Sequence, residues 1–253
     1  ATAVTKVGGA QAVAALAFGT ASIPAADRIV GPGNVYVTEA KRQVAGFVGI
    51  DGLAGPTELA VVADASADPN WLAADLVAQA EHDPEALAVL IAFDPHVVNE
   101  VEEALEAEVA RAGRRDVVKG ALAHARTVLV ADVDHAVEVV DGLAPEHLHV
   151  VLADAAPFAQ RIRNAGAIFV GGFTPVPFGD YGVASNHVLP TGGTARFSSG
   201  LRSSDFVKVA SVVEVSDGGA VRLAPEVARI ALAEGLPGHA RAVEIRAQGR
   251  RPT

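Results

Sequence analysis

The chain has 253 residues and a formal net charge of −10, and half of its residues are hydrophobic. This length and composition suffice for one large domain or two smaller ones with a sizeable core. The basic residues are scattered along an acidic chain, so no positive surface is available for phosphates, and we expect a small-molecule ligand and no nucleic acid partner.

The residues that the sequence lacks constrain it further. Its apolar runs are far shorter than the roughly 20 residues that cross a bilayer, and residues 1–10 do not look like a secretory signal. We therefore expect no membrane association and a cytoplasmic location. The absence of cysteine removes disulfides, thiolate metal ligands and a cysteine nucleophile for aldehyde oxidation. The absence of methionine leads us to expect a chain that is processed or truncated.

The N-terminal part predicts a strand at 3–7, a glycine turn at 8–9 and a helix at 10–18. This opening is abrupt for a doubly wound sheet, and we expect a missing N-terminal portion, with a natural edge strand as the alternative. The following Gly31-Pro32-Gly33-Asn34 precedes a helix and either presents backbone amides to an anion or forms a plain turn. No G-x-G-x-x-G motif follows a strand, so pattern alone does not establish dinucleotide binding.

Short runs rich in valine, isoleucine and leucine alternate with helical stretches through the middle of the chain. This alternation is typical of parallel strands that are buried on both faces and joined by crossover helices, so the predicted class is α/β. Helices are predicted after Asp68-Pro69, up to about His82, and after Asp94-Pro95, because an acidic cap there precedes a proline at the first helical position. The clearest strands are at 58–63, 87–93, 127–131, 148–152 and 167–170.

The pattern loosens after Gly172 into a stretch that contains glycine and proline and reaches Gly200. A connection of this length is a candidate functional loop. Beyond Arg202 the sequence is mostly helical, at 223–235 and again from His239 onward.

The eight histidines raise the question of a metal site, which needs about three or four nitrogen or oxygen ligands when thiolates are absent. Four of them have no carboxylate partner at a suggestive spacing, and we interpret them as ordinary surface or packing residues: His96, His124, His135 and His149.

Two polar pairs involve other histidines. Gln79 and His82 are three residues apart near the end of a predicted helix, so both can reach one cation. Glu146 and His147 are adjacent just before an apolar strand, where loop geometry can aim both into a cleft for proton transfer. Taken alone, each pair is more simply explained by a polar helix end or a polar turn.

The predicted loop contains the stretch most typical of a site. Asp180-Tyr181 and Asn186-His187 bring a carboxylate, an amide and an imidazole within a few residues of one another. Glu234 and His239 lie around a glycine that closes a helix, and helix capping alone explains that segment.

Taken together, these segments resemble the histidinol dehydrogenase family, in that family's order. The resemblance covers essentially the whole chain, and several motifs are long and unusual, so chance agreement is not credible. The motifs are Val-Gly-Gly-Ala-Gln-Ala at 7–12, Ile-Val-Gly-Pro-Gly-Asn at 29–34, Thr-Glu-Ala-Lys-Arg-Gln at 38–43, Ala-Gly-Pro-Thr-Glu at 54–58, Gln-Ala-Glu-His-Asp-Pro at 79–84, Ala-Pro-Glu-His-Leu at 144–148, Ala-Gly-Ala-Ile-Phe at 165–169 and Asn-His-Val-Leu-Pro-Thr at 186–191.

The resemblance implies a zinc- and NAD-dependent oxidation of L-histidinol to L-histidine through histidinaldehyde, the last step of histidine biosynthesis. The implied acid/base pair is Glu146 and His147. The implied zinc ligands, which also contact the substrate, are Gln79, His82, Asp180 and His239. The implied remaining contacts are Thr57, His147, His187 and Glu234 to the substrate and Gln11 and Asn34 to NAD.

The implied chemistry divides two proton transfers between neighbouring residues. His147 takes the hydroxyl proton of the alcohol while a hydride leaves to NAD. Glu146 then activates the water that hydrates the aldehyde, and a second NAD accepts a second hydride. Zinc serves mainly to orient the substrate through its nitrogens.

The resemblance also implies incomplete doubly wound, Rossmann-like domains: a remnant at 1–58, a second domain at 59–201 that carries most of the site, and a helical tail at 202–253. In the family this tail reaches the partner of a homodimer, so Glu234 and His239 can complete the other subunit's site. Family members carry an N-terminal segment that we expect this chain to lack. Two alternatives stay open, a zinc hydrolase and a non-catalytic fragment that binds zinc or a partner chain.

Overall fold

The N-terminal elements form a small parallel pair in the computed structural model, which describes residues 3–183 and 186–248. Strands β1 (Arg28–Ile29) and β2 (Gly49–Ile50) run parallel, with α1 (Gly9–Phe18) and α2 (Val35–Val44) beside them. The predicted strand at 3–7 is wrong, since these residues adopt no regular structure. A strand needs a neighbour to take its backbone hydrogen bonds, and among the described residues none pairs with this segment.

The main sheet has five parallel strands in the spatial order β5-β4-β3-β6-β7. The chain adds strands to one side of β3 and then crosses to its other side, which makes the sheet doubly wound. This confirms the predicted α/β class. The strands are β3 (Glu58–Ala63), β4 (Leu87–Ala92), β5 (Arg126–Leu129), β6 (His147–Val151) and β7 (Ala167–Val170).

Helices cover both faces of this sheet, which explains why the central strands are continuous apolar runs. Leu59 and Val61 of β3 pack on one face with Leu72 of α3, whereas Ala60 and Val62 pack on the other with α6 and α7. The helices are α3 (Pro69–Ala80), α4 (Pro95–Arg111), α5 (Arg115–Leu122), α6 (Val133–Leu143), α7 (Ala155–Ala159) and α8 (Val176–Tyr181).

The predicted helix starts are confirmed by their caps. The Asp68 side chain accepts a hydrogen bond from the backbone N–H of Asn70, and Asp94 accepts one from that of His96. Each cap satisfies a donor that the first helical turn leaves without a partner.

The stretch from Gly172 to Gly200 is not the uninterrupted loop that the sequence predicts. It contains the six-residue helix α8, which carries Asp180 in its last turn, and a 3₁₀ turn at Thr194–Arg196. Val176 of α8 is buried in the core against the sheet. A helix this short depends on tertiary packing rather than on periodicity, so the pattern gave no signal for it.

The chain divides into two compact units, one that ends at Phe206 and one that begins at Val207. The second unit is a pair of helices, α9 (Asp217–Ala233) and α10 (Pro237–Ala247), which pack through small alanine side chains. Gly235 follows the end of α9 with a φ of 75°, as a helix-closing glycine does. The domain limits at 58 and 201 remain predictions. No helix in the described ranges has the length and hydrophobicity needed to span a membrane.

Candidate active site

The polar residues of the candidate site meet at the amino ends of two neighbouring strands. Leu59 of β3 is paired with His147 of β6, and the two strands run parallel. The residues at and before these positions, Thr57 and Glu58 on one strand and Glu146 on the other, therefore lie at the same end of the sheet. Doubly wound sheets more commonly bind ligands at the opposite, carboxyl end.

The Glu146 carboxylate is held through one of its two oxygens. Oε2 accepts a hydrogen bond of 2.6 Å from the Thr57 hydroxyl and one of 3.1 Å from the backbone N–H of Glu58. The Thr57 hydroxyl in turn accepts from Nε2 of Gln79 at 3.1 Å. No described residue donates a hydrogen bond to Oε1 of Glu146, so this oxygen is the one available to a water or substrate.

The His147 ring is oriented by a backbone carbonyl. Its Nδ1 lies 3.2 Å from the carbonyl oxygen of Glu58, and because a carbonyl only accepts, Nδ1 carries the hydrogen. In the neutral ring, Nε2 then has the free lone pair that a base needs. Nδ1 is also 3.6 Å from Oε2 of Glu146, and the ring lies beside Phe169 with centroids 6.0 Å apart.

Glu58 contacts both Glu146 and His147 through its backbone, and its own carboxyl group is partly buried. Burial raises its pKa above the ordinary value of 4.5, and the nearby Glu146 carboxylate adds to the rise, against opposing hydrogen bonds from the backbone N–H groups of Gly192 and Glu146. Oε1 accepts from Gly192 at 3.0 Å. Among the described residues, Oε2 is the one buried side-chain oxygen or nitrogen without a hydrogen-bond partner.

Two cavities adjoin this cluster. One, of about 210 Å³, is lined by Thr57, Glu146 and His187 together with the glycines of the 31–33 loop. The other, of about 300 Å³, is lined by Gln79, His82 and Asp180 among others. Two contacts connect the cavity walls: the hydrogen bond between Gln79 and Thr57, and the 2.8 Å contact between Oδ1 of Asp180 and Nε2 of His187.

Three of the four predicted zinc ligands therefore line one cavity. The side-chain amide N–H of Gln79 donates to Thr57, so the side-chain carbonyl oxygen of Gln79 is available to a metal. His82 is exposed just beyond α3, and Asp180 is mostly buried in α8. Across the described ranges, no three histidine, aspartate or glutamate side chains are grouped closely enough to hold a metal ion, so a site here needs the glutamine oxygen and a further ligand.

The predicted NAD residues belong to the N-terminal elements. Asn34 caps α2, where its Oδ1 accepts hydrogen bonds from the backbone N–H groups of Tyr36 and Val37, so its amide N–H₂ remains as a donor. Gln11 is exposed on α1. Neither residue is in the lining of the two cavities.

The preceding glycine loop is fixed by a buried ion pair. Asp51 accepts from Nζ of Lys41 at 2.6 Å and from the backbone N–H of Gly31 at 2.8 Å. At Gly33, a side chain would come within 2.5 Å of Val37, so only glycine fits there.

The remaining predicted residues, Glu234 and His239, belong to the C-terminal helical unit. Glu234 is the C-cap of α9, and His239 is in the first turn of α10. Both are exposed in that unit.

The sequence interpretation missed a buried pair beside the second cavity. His149 is almost fully buried, in agreement with a packing role, but its Nδ1 also lies 3.1 Å from Oδ2 of Asp75, a carboxylate 74 positions away in the sequence. Two signals could have found the pair. Asp75 is one helical turn before Gln79. His149 is two residues after His147, so both point to the same face of β6.

Fold and site together define a doubly wound α/β protein whose polar cluster joins a carboxylate and an imidazole beside a cavity of nitrogen and oxygen donors. The profile of the histidinol dehydrogenase family matches residues 1–247. Two relatives named histidinol dehydrogenase are each 48% identical to the chain: that of Dechloromonas aromatica over 96% of it and that of Thermus thermophilus over 95%. The crystal structure of histidinol dehydrogenase from Elizabethkingia anophelis superposes with a TM-score of 0.89, at 36% identity over 96% of the chain.

The chain therefore belongs to the histidinol dehydrogenase family. It spans 56% of the Dechloromonas relative, 58% of the Thermus relative and 56% of the Elizabethkingia chain.

Proposed function

We propose that the chain carries the acid/base site of an NAD-dependent histidinol dehydrogenase, which oxidises L-histidinol to L-histidine through histidinaldehyde. The observation that supports this most directly is the way in which two adjacent side chains are held. Glu146 is held through Oε2 and His147 through Nδ1, so each keeps one atom free to exchange a proton. The names of the relatives supply the substrate.

In the first half-reaction, Nε2 of His147 accepts the hydroxyl proton of histidinol as the C–H bond gives up its hydride. NAD, when bound, is the hydride acceptor. The bond from Nδ1 to the Glu58 carbonyl keeps the ring in the tautomer that can act as a base, and it stabilises the cation that forms.

In the second half-reaction, Oε1 of Glu146 removes a proton from the water that adds to the aldehyde. The hydrate then loses a second hydride to a second NAD, and a proton to the base, which gives the carboxylate of histidine. The hydrogen bonds from Thr57 and Glu58 hold the Glu146 carboxylate in place for this step.

The donor set of the second cavity fits zinc, because it consists of an imidazole, a carboxylate and a free amide oxygen. We propose Gln79, His82 and Asp180 as ligands, with His239 as the fourth. Zinc, when bound, supplies a charge that orients the nitrogens of the substrate. His187 and Glu234 are the proposed substrate contacts, with Thr57, and Gln11 and Asn34 are the proposed NAD contacts.

We further propose a homodimer in which the C-terminal helical unit of one copy supplies Glu234 and His239 to the other copy's site. The exposure of both residues in their own unit is compatible with this arrangement.

The test separates the two proton transfers. Glu146→Gln keeps the size of the side chain but removes the base, so it should slow the oxidation of histidinaldehyde by about 100- to 10,000-fold and spare the first hydride transfer from histidinol. His147→Asn should slow both. Reduced NAD is measured in single turnovers with each substrate, on the chain alone and with the remaining portion of the Thermus relative supplied.

Equal losses on both substrates in the Glu146→Gln protein would contradict this assignment of roles. If neither preparation of the unsubstituted chain forms reduced NAD from histidinol, the proposed activity is wrong, and hydrolysis or zinc binding without turnover would be the remaining alternatives.

A further inference from the structure

We infer that Glu58 is a positioning residue: its carboxylate fastens the segment 186–192, which carries His187, onto the strand that orients Glu146 and His147. The expected kinetic effect rests on the proposed function, whereas the expected structural effect does not.

The backbone of Glu58 already contacts both members of the acid/base pair. Its N–H donates to Oε2 of Glu146, and its carbonyl accepts from Nδ1 of His147. The amino ends of β3 and β6 are thus joined through the backbone of one residue.

The side chain of Glu58 extends this network to a third segment. Its Oε1 accepts the backbone N–H of Gly192 at 3.0 Å, across 134 positions of the sequence. One residue earlier, the Thr191 hydroxyl accepts the backbone N–H of Gly55 at 2.6 Å. Two bonds, 55 to 191 and 58 to 192, therefore fasten the segment, and we call them the latch.

The latch lies where it can control substrate contacts. His187 is four residues before Thr191, and residues 187–191 line the same cavity as Thr57 and Glu146. The His187 ring has a further contact, 2.8 Å from its Nε2 to Oδ1 of Asp180. Release of the latch should therefore displace His187 but leave the backbone bonds to Glu146 and His147 intact.

A purely structural role does not account well for a carboxyl group here. One oxygen serves Gly192, but the other is buried without a partner, and an unpartnered buried polar atom costs stability that an apolar side chain would avoid. Oε1 supplies the oxygen acceptor that the backbone N–H of Gly192 needs at this position. The presence of a carboxyl group at position 58 is therefore explained by the segment 186–192, which its Oε1 holds in place.

The test compares Glu58→Ala with Glu58→Gln, in which an amide oxygen can still accept from Gly192. Amide hydrogen exchange of the chain is followed over residues 188–194. Exchange there should rise about ten-fold in Glu58→Ala, from the loss of one part-buried hydrogen bond, and stay close to the unsubstituted rate in Glu58→Gln. With histidinol, the KM of Glu58→Ala should rise by a similar factor while kcat changes little.

Thr191→Val removes the other bond of the latch at nearly constant size, with Thr191→Ser as its control. This second pair decides the question if Glu58→Ala does not fold. Unchanged exchange over 188–194 in the folded variant overturns the inference, and so does equal behaviour of the alanine and glutamine proteins. A fall in kcat with unchanged KM also overturns it. If the unsubstituted chain is inactive, the proposed function fails, but the exchange result still decides whether the latch exists.

Discussion

Glu58 and Asp64 occupy the two ends of β3 and have opposite electrostatic surroundings. Burial raises the pKa of Glu58, and the Glu146 carboxylate reinforces the rise. At Asp64, burial also acts to raise the pKa, but hydrogen bonds from Ser66 and from the backbone N–H of Ala153 outweigh it and lower the pKa below 3.8. The two carboxyl groups should therefore affect stability with opposite signs as pH changes.

For Glu58, a raised pKa in the folded state means that ionisation weakens the fold. The penalty begins as pH rises through the ordinary value of 4.5 and is complete above the folded pKa. Glu58→Gln cannot ionise. Its free energy of unfolding, relative to that of the unsubstituted chain, should therefore increase as pH rises from 4 toward neutrality. Asp64→Asn, the matched control, should lose stability relative to the unsubstituted chain as pH rises through the lowered pKa to 3.8 and should change little above that value, because the stabilisation from a lowered pKa is then complete. Urea unfolding across pH measures both, and parallel trends for the two variants would contradict these signs.

The element scale begins with the contact between α3 and β6. Both ring nitrogens of His149 face acceptors, Oδ2 of Asp75 at 3.1 Å and the carbonyl oxygen of Gly171 at 3.0 Å. Both acceptors are within hydrogen-bond distance, so the imidazole connects the Asp75 carboxyl group to the backbone of Gly171. A buried polar contact thus joins the helix of Gln79 to the strand of His147.

Removal of one partner should therefore be costly. Asp75→Ala leaves one nitrogen of a buried imidazole without its hydrogen-bond partner and should lower the free energy of unfolding by about 1–3 kcal/mol. The exposed pair of His96 and Glu100, at 3.4 Å, provides the control, and Glu100→Ala should cost less than about 1 kcal/mol. Denaturant unfolding of the two variants decides this, and similar losses would contradict a stabilising role for the buried contact.

Metal retention is also a property of elements, because α3 and α8 supply its proposed ligands. His82→Ala and Asp180→Ala should each abolish bound zinc while the far-ultraviolet circular dichroism is kept, since a site of nitrogen and oxygen donors loses affinity sharply with each ligand removed. His96→Ala removes an exposed histidine of α4 and should leave the zinc content unchanged. Full zinc content in either of the first two proteins would refute the ligand assignment.

The accuracy of the sequence interpretation also varied by element. Strands at 58–63 and 167–170 were predicted with the bounds that the structure has, because each is a short apolar run that differs sharply from the segments around it. Helix α8 was missed because six residues contain less than two turns of pattern. The strand at 3–7 was predicted from β-branched residues alone, although pairing decides whether a strand forms.

At the scale of the whole molecule, sequence periodicity predicted parallel strands but not their spatial order. That order brings residues 57–58 beside 146–147, and no local pattern contains it. The site residues could be named only because long motifs resemble one family. Residues without such a motif role, such as Asp75 and His149, depend on contacts across 74 positions that the sequence does not display.

The proposed exchange of C-terminal units between two copies makes a quantitative prediction. If His239 of one copy completes the zinc site of the other, His82→Ala and His239→Ala proteins should each bind no zinc but should complement each other. In a mixed dimer, one site combines both defects, whereas the other has an intact His82 and an intact His239. Random mixing makes half of the dimers mixed, so about a quarter of all sites should bind zinc.

The two proteins are unfolded together, refolded and assayed for bound zinc after removal of free metal. A mixture of His82→Ala with Asp180→Ala is the control and should stay empty, because each proposed site takes these two residues from the same copy. If zinc in the first mixture stays at the level of the separate proteins while the unsubstituted chain binds it fully, His239 acts within its own copy or is not a ligand. The unmixed His239→Ala protein separates these two results, since it retains zinc only if His239 is not a ligand.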